Sequence, residues 1–179
     1  MRLESVKEAL KLNLGSRDRR IPGFKNMDID AHPGVDFVGD VSCLAQFSDG
    51  SVSEIYASQI LEHFPQPMTL KVLQEWCRVL EPGGILYIGV PDFARACEIY
   101  QKHGMIDWVV NQLWGDQGYA TAYHYTCFDE ERLRGFLLKA GFSEASRVDA
   151  FPVGDRKDCS HQVFGFDQKP VSLNMVAIK

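Results

Sequence analysis

The sequence has no long apolar run and no strongly basic cluster. No stretch approaches the roughly 20 consecutive apolar residues that a membrane helix needs, and the charged N-terminus is not followed by the apolar core of a signal peptide. These absences predict a cytoplasmic chain with no membrane partner. The net charge is −5, and the longest basic cluster is Arg17-Asp18-Arg19-Arg20, so we do not expect nucleic acid as a partner.

Paired cysteines are absent as well. The five cysteines are scattered, are odd in number and form no C-x-x-C motif. Neither a disulfide framework nor a zinc site built on cysteine is therefore favoured, and we expect no metal. The 179 residues are long enough to bury a substantial core without such crosslinks, and we expect one domain spanning residues 1–179.

The most informative stretch runs from Val52 to Asp92. Residues 52–58 and 85–90 have the composition of strands, and residues 70–80 between them carry apolar side chains at helical spacing. A crossover of this length makes the two strands parallel neighbours. Open α/β sheets bind their ligands just beyond the carboxyl ends of such strands, where residues 58–64 and 90–93 carry polar and ionisable side chains.

Further strands extend this unit into a larger sheet. Residues 11–15, 26–30 and 35–38 are each predicted to form a strand that ends in glycine or acidic residues. Residues 147–153 and 171–179 are predicted as the last two strands, and we expect them to be antiparallel neighbours at one edge. Apolar residues near the N-terminus predict a short helix before the first strand.

The second half of the chain is predicted to supply the remaining helices and a long irregular segment. Residues 94–102 and 106–113 have helical patterns, and Asp129 and Gly141 are typical of the start and end of another helix. We expect residues 93–128 and 154–169 to cover a ligand site, because long loops are often functional. The aromatic residues of the 106–125 segment suit a small ligand, but equally a homodimer interface.

A series of short motifs carries a family resemblance. It comprises L-N-L-G at 12–15, N-M-D at 26–28, G-D-V at 39–41, A-S-Q-I-L-E-H-F at 57–64, L-E-P-G-G at 80–84 and G-V-P-D at 89–92, followed by F-D-E-E-R-L at 128–133 and A-G-F at 140–142. In this order and spacing they resemble the class I S-adenosylmethionine-dependent methyltransferases, specifically the small predicted methyltransferases related to the type 11 group. The resemblance covers nearly the whole chain. It implies a Rossmann-like α/β sheet of about seven strands with the last strand antiparallel and helices on both faces.

The resemblance also implies a cofactor, S-adenosylmethionine, and residues that bind it. Gly15 would let the backbone approach the methionine part of the cofactor, and Asp28 would accept hydrogen bonds from the ribose hydroxyls. Asp40 and Val41 would recognise adenine, and Ser58 and Leu61 would line the methionine end. Each of these residues also has a purely structural interpretation, as a turn glycine, a solvated carboxylate or a packing residue.

Two histidines are candidates for catalysis. His63 follows the fourth strand, near the expected position of the transferable methyl group, and His124 lies in the irregular segment. If the acceptor is a hydroxyl group, a base must take its proton, and a positioned histidine typically contributes about 100- to 10,000-fold. We therefore expect methyl transfer to a small-molecule or glycan acceptor, with Asp92 and Tyr125 as further substrate contacts. Because little sequence precedes the first strand, we expect residues 93–128 and 154–169 to cover the acceptor site. Either histidine can instead be a packing residue.

One departure from the family pattern keeps alternatives open. The family usually has a second glycine shortly after the first strand, whereas Gly15 is followed by Ser16 and Arg17, and only residues 15–25 separate the first two strands. The first helix should therefore be shortened or missing, and the cofactor site shallower. A non-catalytic methyltransferase-like partner subunit is one alternative. A nicotinamide dinucleotide enzyme is another, disfavoured because G-x-G-x-x-G is absent.

Overall fold

The computed structural model describes residues 9–154, 158–163, 165 and 167–179. Seven strands form one sheet in the order β3-β2-β1-β4-β5-β7-β6. The strands are β1 (Leu10–Leu14), β2 (Lys25–Asp28), β3 (Phe37–Val38), β4 (Val52–Ser58), β5 (Leu80–Pro91), β6 (Glu144–Val148) and β7 (Ser172–Ile178). The strand order reverses between β1 and β4, and this is the point at which an open α/β sheet forms its ligand crevice.

The first five strands are parallel and the last two are not. β1 pairs with β2 and β4, and β4 pairs with β5 in register from Glu54–Ile85 to Ser58–Gly89. β7 is inserted antiparallel between β5 and β6. The predicted antiparallel pairing of the last two strands is confirmed, although only β6 lies at the edge. The strand predicted at residues 147–153 starts three residues later than β6 and ends five residues later.

Four α-helices accompany the sheet in the described part of the chain: α1 (Thr69–Val79), α2 (Phe93–His103), α3 (Ile106–Trp114) and α4 (Glu130–Ala140). The α4 boundaries follow the predicted signals, because the Asp129 side chain accepts a hydrogen bond from the Arg132 amide and Gly141 adopts a φ of 112°. None of these helices is both long and apolar enough to cross a membrane.

The connection between β1 and β2 contains no helix, as the short spacing predicted. Residues 15–24 form a series of turns instead. The N-terminal helix that the sequence predicted falls mostly on residues 1–8, which lie outside the described residues. The two predicted strands 11–15 and 26–30 are shorter than expected at their carboxyl ends, and the chain leaves the sheet at Gly15 and Ile29.

The main core lies between the sheet and the helices α1 and α4. Its largest fully buried side chains include Trp76, Leu73 and Phe128, each 0% exposed. A smaller cluster packs on β4 and β5 around Tyr56, Tyr87 and Phe151. The ring of Phe151 meets both tyrosines edge to face, at centroid distances of 5.5 and 5.8 Å. β4 thus packs on both cores, through Ile55 and Ala57 on the main core and Tyr56 on the smaller cluster, and β1 packs on the main core through Leu12 and Leu14.

Candidate active site

The carboxyl ends of β1, β2 and β4, together with the turn after β3, line one cavity of about 820 Å³. This volume is typical of a site for a small molecule or cofactor. The structure brings most of the predicted site residues together here: the lining includes Gly15, Asp28, Asp40, Val41, Ser58, His63 and His124. Leu61 is the exception, because its side chain is fully buried in the main core.

The turn after β1 is tight and closely packed. Gly15 has a φ of 64°, and a Cβ atom there would overlap the side chain of Ile60. The amides of Gly15 and Ser16 both donate to the carbonyl of Met27, at 2.9 and 3.2 Å. Glycine is therefore required both for its conformation and for close approach.

Arg17 stands near the position of the missing second glycine. It also has positive φ, 48°, and its amide donates to Asp28 Oδ2 at 2.7 Å. Its side chain extends away from the turn, and Nη1 donates to the hydroxyl of Tyr119 at 3.1 Å. This bridge was not predictable from the sequence, because the two residues are far apart in the chain.

Asp28 ends β2 with a buried, well-held carboxylate. It is 6% exposed, and its Oδ1 accepts from the Asp30 amide at 3.1 Å while Oδ2 accepts from the Arg17 amide. A carboxylate offers about four acceptor positions, so two remain for a ligand. Asp30 is exposed. The geometry therefore favours Asp28 as the more fixed of the two carboxylates.

Asp40 and Val41 follow β3 and are held by the packing beneath them. The Val41 carbonyl accepts from Trp76 Nε1 at 2.9 Å, and Val41 is 7% exposed. The Asp40 side chain is exposed and accepts from the Ser42 amide at 2.8 Å. The Asp40 carboxylate is therefore accessible from the cavity, beside the buried side chain of Val41.

Ser58 is tied to a polar network that reaches residues 158–160. Its hydroxyl donates to Asp158 Oδ1, which also accepts from the Ser160 amide at 2.8 Å. Arg19 lies 3.2 Å from the other Asp158 oxygen. Burial and the nearby Asp158 carboxylate raise the pKa of Tyr56, which shares a hydrogen bond with Ser160. The sequence indicated a polar segment here, but not that Asp158 is 5% exposed beneath the cavity.

His63 and His124 meet at the other end of the cavity. Their ring centroids are 4.7 Å apart and the rings are nearly perpendicular. His63 Nδ1 lies 3.0 Å from the Tyr123 carbonyl and His124 Nδ1 lies 3.0 Å from the Gln112 carbonyl. With both Nδ1 atoms donating, each Nε2 keeps a free lone pair. Burial lowers the pKa of both histidines, and their proximity lowers that of His63 further, which favours neutral imidazoles.

Glu62 is a member of this cluster that the sequence interpretation passed over. Its side chain is 0% exposed, and neither carboxylate oxygen has a hydrogen-bond partner in another described residue. Burial raises its pKa to about 8. The sequence feature that could have pointed to Glu62 is its position between Leu61 and His63, just after a buried strand.

Asp92, which the sequence suggested as a substrate contact, does not line the cavity. It is 3% exposed, caps α2 by accepting from the Arg95 amide at 3.1 Å, and pairs with Arg147 at 2.8 Å. Tyr125 lines the cavity and is 57% exposed. Its amide donates to the Glu62 carbonyl at 2.8 Å, which ties the irregular segment to the turn after β4.

Comparison with known proteins agrees with this architecture. Residues 22–88 match a family model described as a methyltransferase domain of the type 11 group. The fold is that of the class I methyltransferases. Solved structures that resemble the chain include a methyltransferase from Thermotoga maritima, described as a possible histamine N-methyltransferase. It is 17% identical with a TM-score of 0.59, over 95% of this chain and 82% of that one.

Two other solved structures resemble the chain to a similar degree. A methyltransferase from Archaeoglobus fulgidus is 13% identical with a TM-score of 0.59, over 94% of this chain and 85% of that one. The third structure is the 1,6-didemethyltoxoflavin-N1-methyltransferase of Burkholderia thailandensis, solved with 1,6-didemethyltoxoflavin and S-adenosylhomocysteine. It is 17% identical with a TM-score of 0.58, over 96% of this chain and 71% of that one. A comparison with curated proteins found no significant match.

These findings confirm the fold class and the family resemblance predicted from the sequence. The methyltransferase-domain match bears out the expectation of an enzyme that uses S-adenosylmethionine. The segment it covers runs from the turn after β1 to the middle of β5. It therefore contains Asp28, Asp40, Val41, Ser58 and His63, but not Gly15 or His124.

Proposed function

We propose that this protein transfers the methyl group of S-adenosylmethionine to a hydroxyl group of a small-molecule or glycan acceptor. The observation that carries the proposal is the gathering of the strand-end residues Gly15, Asp28, Asp40 and Ser58 around one cavity that also contains His63 and His124. The cofactor needs partners for adenine, ribose and a zwitterionic amino acid, and the cavity offers carboxylates, arginines and a close backbone approach.

The residues along the cavity suit the parts of the cofactor in order. Asp40 and Val41 would hold the adenine, and the two free acceptor positions of Asp28 would receive the ribose hydroxyls. The backbone at Gly15 and the Ser58 region would border the methionine part, where Arg19 and Asp158 supply charges of both signs. Leu61 can contribute only through its backbone, since its side chain is buried in the core.

The acceptor end is formed by the histidine pair and the segment after α3. Methyl transfer is an in-line displacement at a sulfonium, so the enzyme mainly has to align the two reactants and exclude water. His63 and His124 lie where they can receive the acceptor hydroxyl, and exposed Tyr119, Tyr123 and Tyr125 line the same side. Aromatic faces of this kind suit sugars and planar rings, which supports a small-molecule or glycan acceptor.

The shortened turn after β1 is the main argument for a non-catalytic partner subunit. Two observations favour the enzyme instead: the Arg17 amide keeps the turn anchored to Asp28, and the cavity has not been filled by side chains. The exposed aromatic residues of the 106–125 segment remain available for a homodimer contact, which analytical ultracentrifugation would detect.

A thermal-shift series tests the proposed cofactor. The purified chain is compared with S-adenosylhomocysteine, S-adenosylmethionine, NAD and ATP. A ligand at about 100 times its Kd stabilises by about 2.7 kcal/mol, which for a domain of this size raises Tm by roughly 5 to 10 °C. We expect this shift with the two S-adenosyl compounds only. No shift at millimolar S-adenosylhomocysteine would favour the partner subunit, and a shift with NAD alone would favour the dinucleotide enzyme.

A further inference from the structure

The fully buried Glu62 carboxylate, which has no hydrogen-bond partner in another described residue, lies next to the rings of His63 and His124, and both rings line the acceptor end of the cavity. One ligand atom from each of Glu62, His63 and His124 lies within 4.8 Å of the others. Burying an unpaired carboxylate costs several kcal/mol, so its charge must be removed by a proton or balanced by a cation. No described residue supplies a cationic partner to Glu62.

The hydrogen bonds of the two histidines already have the arrangement of a metal site. Metal-binding histidines usually donate one ring N–H to a carbonyl or carboxylate, and this fixes the tautomer that presents the other nitrogen to the metal. His63 and His124 each have Nδ1 at 3.0 Å from a backbone carbonyl. Their Nε2 atoms are therefore the ones free to bind.

Backbone contacts hold the three residues in place. Glu62 and His63 belong to the 3₁₀ turn Leu61–His63 directly after β4, and the Tyr125 amide donates to the Glu62 carbonyl. The His124 amide donates to the Trp114 carbonyl at 3.1 Å. The two sides of the cluster are thus tied together by main-chain bonds rather than by the side chains alone.

We propose that Glu62, His63 and His124 bind one divalent transition-metal ion of the class of Zn²⁺. Two imidazoles and one carboxylate form the ligand set of catalytic zinc sites, which leave one position open. Tetrahedral ligands at about 2.0 to 2.1 Å from the metal lie about 3.4 Å apart, so metal binding would draw together ligand atoms that lie within 4.8 Å of one another. The open position would face the cavity, where an acceptor oxygen can occupy it.

This site extends the proposed function without depending on it. The two histidines become ligands that orient the acceptor through the metal rather than proton acceptors in their own right. No cysteine belongs to the ligand set, so the cysteine spacing gave no indication of it. A second acidic group, Asp28, Asp30 and His32, has similar spacing but two of its three members are exposed and Asp28 is already hydrogen bonded, so it serves as a control.

The test is metal binding by the full chain after dialysis against a chelator. Zn²⁺ is titrated in competition with a chromophoric chelator, and Co²⁺ is then bound to report the ligands by absorption. We expect one equivalent to bind, and Glu62→Gln and His124→Ala each to weaken binding by at least about 100-fold. Glu62→Gln preserves side-chain size, and His124→Ala changes a half-buried residue, so a folding defect in one leaves the other informative.

Control variants separate this site from other ligands in the chain. His32→Gln removes a member of the second acidic group, and Cys159→Ser removes the thiol that lines the cavity. We expect both to bind Zn²⁺ as the unaltered chain does. Absence of stoichiometric binding, retained binding in both Glu62→Gln and His124→Ala, or a cobalt–thiolate charge-transfer band that Cys159→Ser abolishes would overturn the proposal.

The binding test is independent of the cofactor test. A chain that responds to S-adenosylhomocysteine but binds no Zn²⁺ overturns the metal site and leaves methyl transfer standing. A chain that binds Zn²⁺ through Glu62 and His124 but no S-adenosyl compound overturns the proposed function alone.

Discussion

Arg17 and Tyr119 join the turn after β1 to the irregular segment after α3, across the cavity. Arg17 Nη1 donates to the Tyr119 hydroxyl at 3.1 Å, and the guanidinium carbon lies 5.6 Å from the centroid of the same ring. Both residues line the cavity. We expect a cofactor bound in the cavity to contact this bridge, and its release to require the bridge to open.

The bridge predicts slower release of the cofactor than the open turn alone would give. Replacing Tyr119 by Ala removes the hydrogen bond and the ring contact, which together contribute about 1 kcal/mol at an exposed position. We expect a roughly 5-fold faster dissociation of S-adenosylhomocysteine in stopped-flow fluorescence, and a smaller effect for Tyr119→Phe. Tyr100→Ala changes an exposed tyrosine on α2 outside the cavity and should leave the rate unchanged. If Tyr100→Ala increased the dissociation rate as much as Tyr119→Ala, the contact between Arg17 and Tyr119 would not be what slows release.

Asp40 is predicted to recognise the amino group of adenine. Its side chain is exposed and makes only a local bond to Ser42, so Asp40→Ala should fold normally. A hydrogen bond to a charged group contributes about 1.5 to 3 kcal/mol, and we expect a 10- to 100-fold loss of S-adenosylhomocysteine affinity by calorimetry.

An altered ligand shows whether the lost contact is to adenine. S-inosylhomocysteine lacks the amino group, so Asp40→Ala should change its affinity little. Asp18→Ala, an exposed aspartate outside the cavity, is the matched control and should bind both ligands normally. An equal loss of affinity for both ligands would mean that Asp40 stabilises the loop and does not bind the amino group of adenine.

Gly15 is predicted to be irreplaceable for two separable reasons. A residue with a side chain at this position would have to adopt a left-handed backbone conformation, which costs about 1 to 2 kcal/mol. Its Cβ atom would also collide with the side chain of Ile60. Gly23→Ala is the matched control, because Gly23 has a φ of 82° and open space around it. We expect Gly15→Ala to lower the free energy of unfolding by more than Gly23→Ala does, in urea titrations.

The contribution of the collision follows from a double variant. Ile60→Ala removes the side chain that the new Cβ would meet, so Gly15→Ala should cost less in that background than in the unaltered chain. An equal cost in both backgrounds would show that only the backbone conformation matters at Gly15.

The strand ends were predictable from sequence because each depends on local chemistry. Gly15, Asp28 and Asp40 lie at or just beyond the carboxyl ends of predicted strands, and parallel strands carry such residues to the same edge of a sheet. The helix bounded by Asp129 and Gly141 was predictable for the same reason. The β6 boundary was wrong, because Glu144 and Ser146 are polar and join the sheet through pairing with β7.

The features that sequence reasoning missed depend on distant contacts. Nothing near Arg17 indicates Tyr119, and nothing near Ser58 indicates that Asp158 is buried beside it. Glu62 looks like a surface residue of a turn until the segment around Tyr125 covers it. Side-chain pairs that form only through the fold are not readable from the spacing of residues along the chain.

Glu75 anchors the loop after β3 to α1, and its ionisation should make stability depend on pH. Its Oε1 accepts from the Leu44 amide at 2.7 Å, and Arg78 donates to both carboxylate oxygens at 2.8 Å. The hydrogen bonds from Arg78 hold the pKa of Glu75 below its ordinary value of 4.5. The same loop leads to Val41 and Asp40 in the cavity.

The sign of the pH effect follows from the lowered pKa. The folded state binds the Glu75 proton less readily than the unfolded state, so the stabilisation is complete above the unfolded pKa and is lost as pH falls through the folded value. We expect Glu75→Gln to lower the free energy of unfolding by about 1 to 3 kcal/mol at pH 7, and by less at pH 3, in urea titrations. Glu130→Gln breaks a more exposed pair with Arg134 and should have a smaller effect at pH 7. A loss from Glu75→Gln that stays the same at both pH values would show that the side chain stabilises the loop through packing and not through its charge.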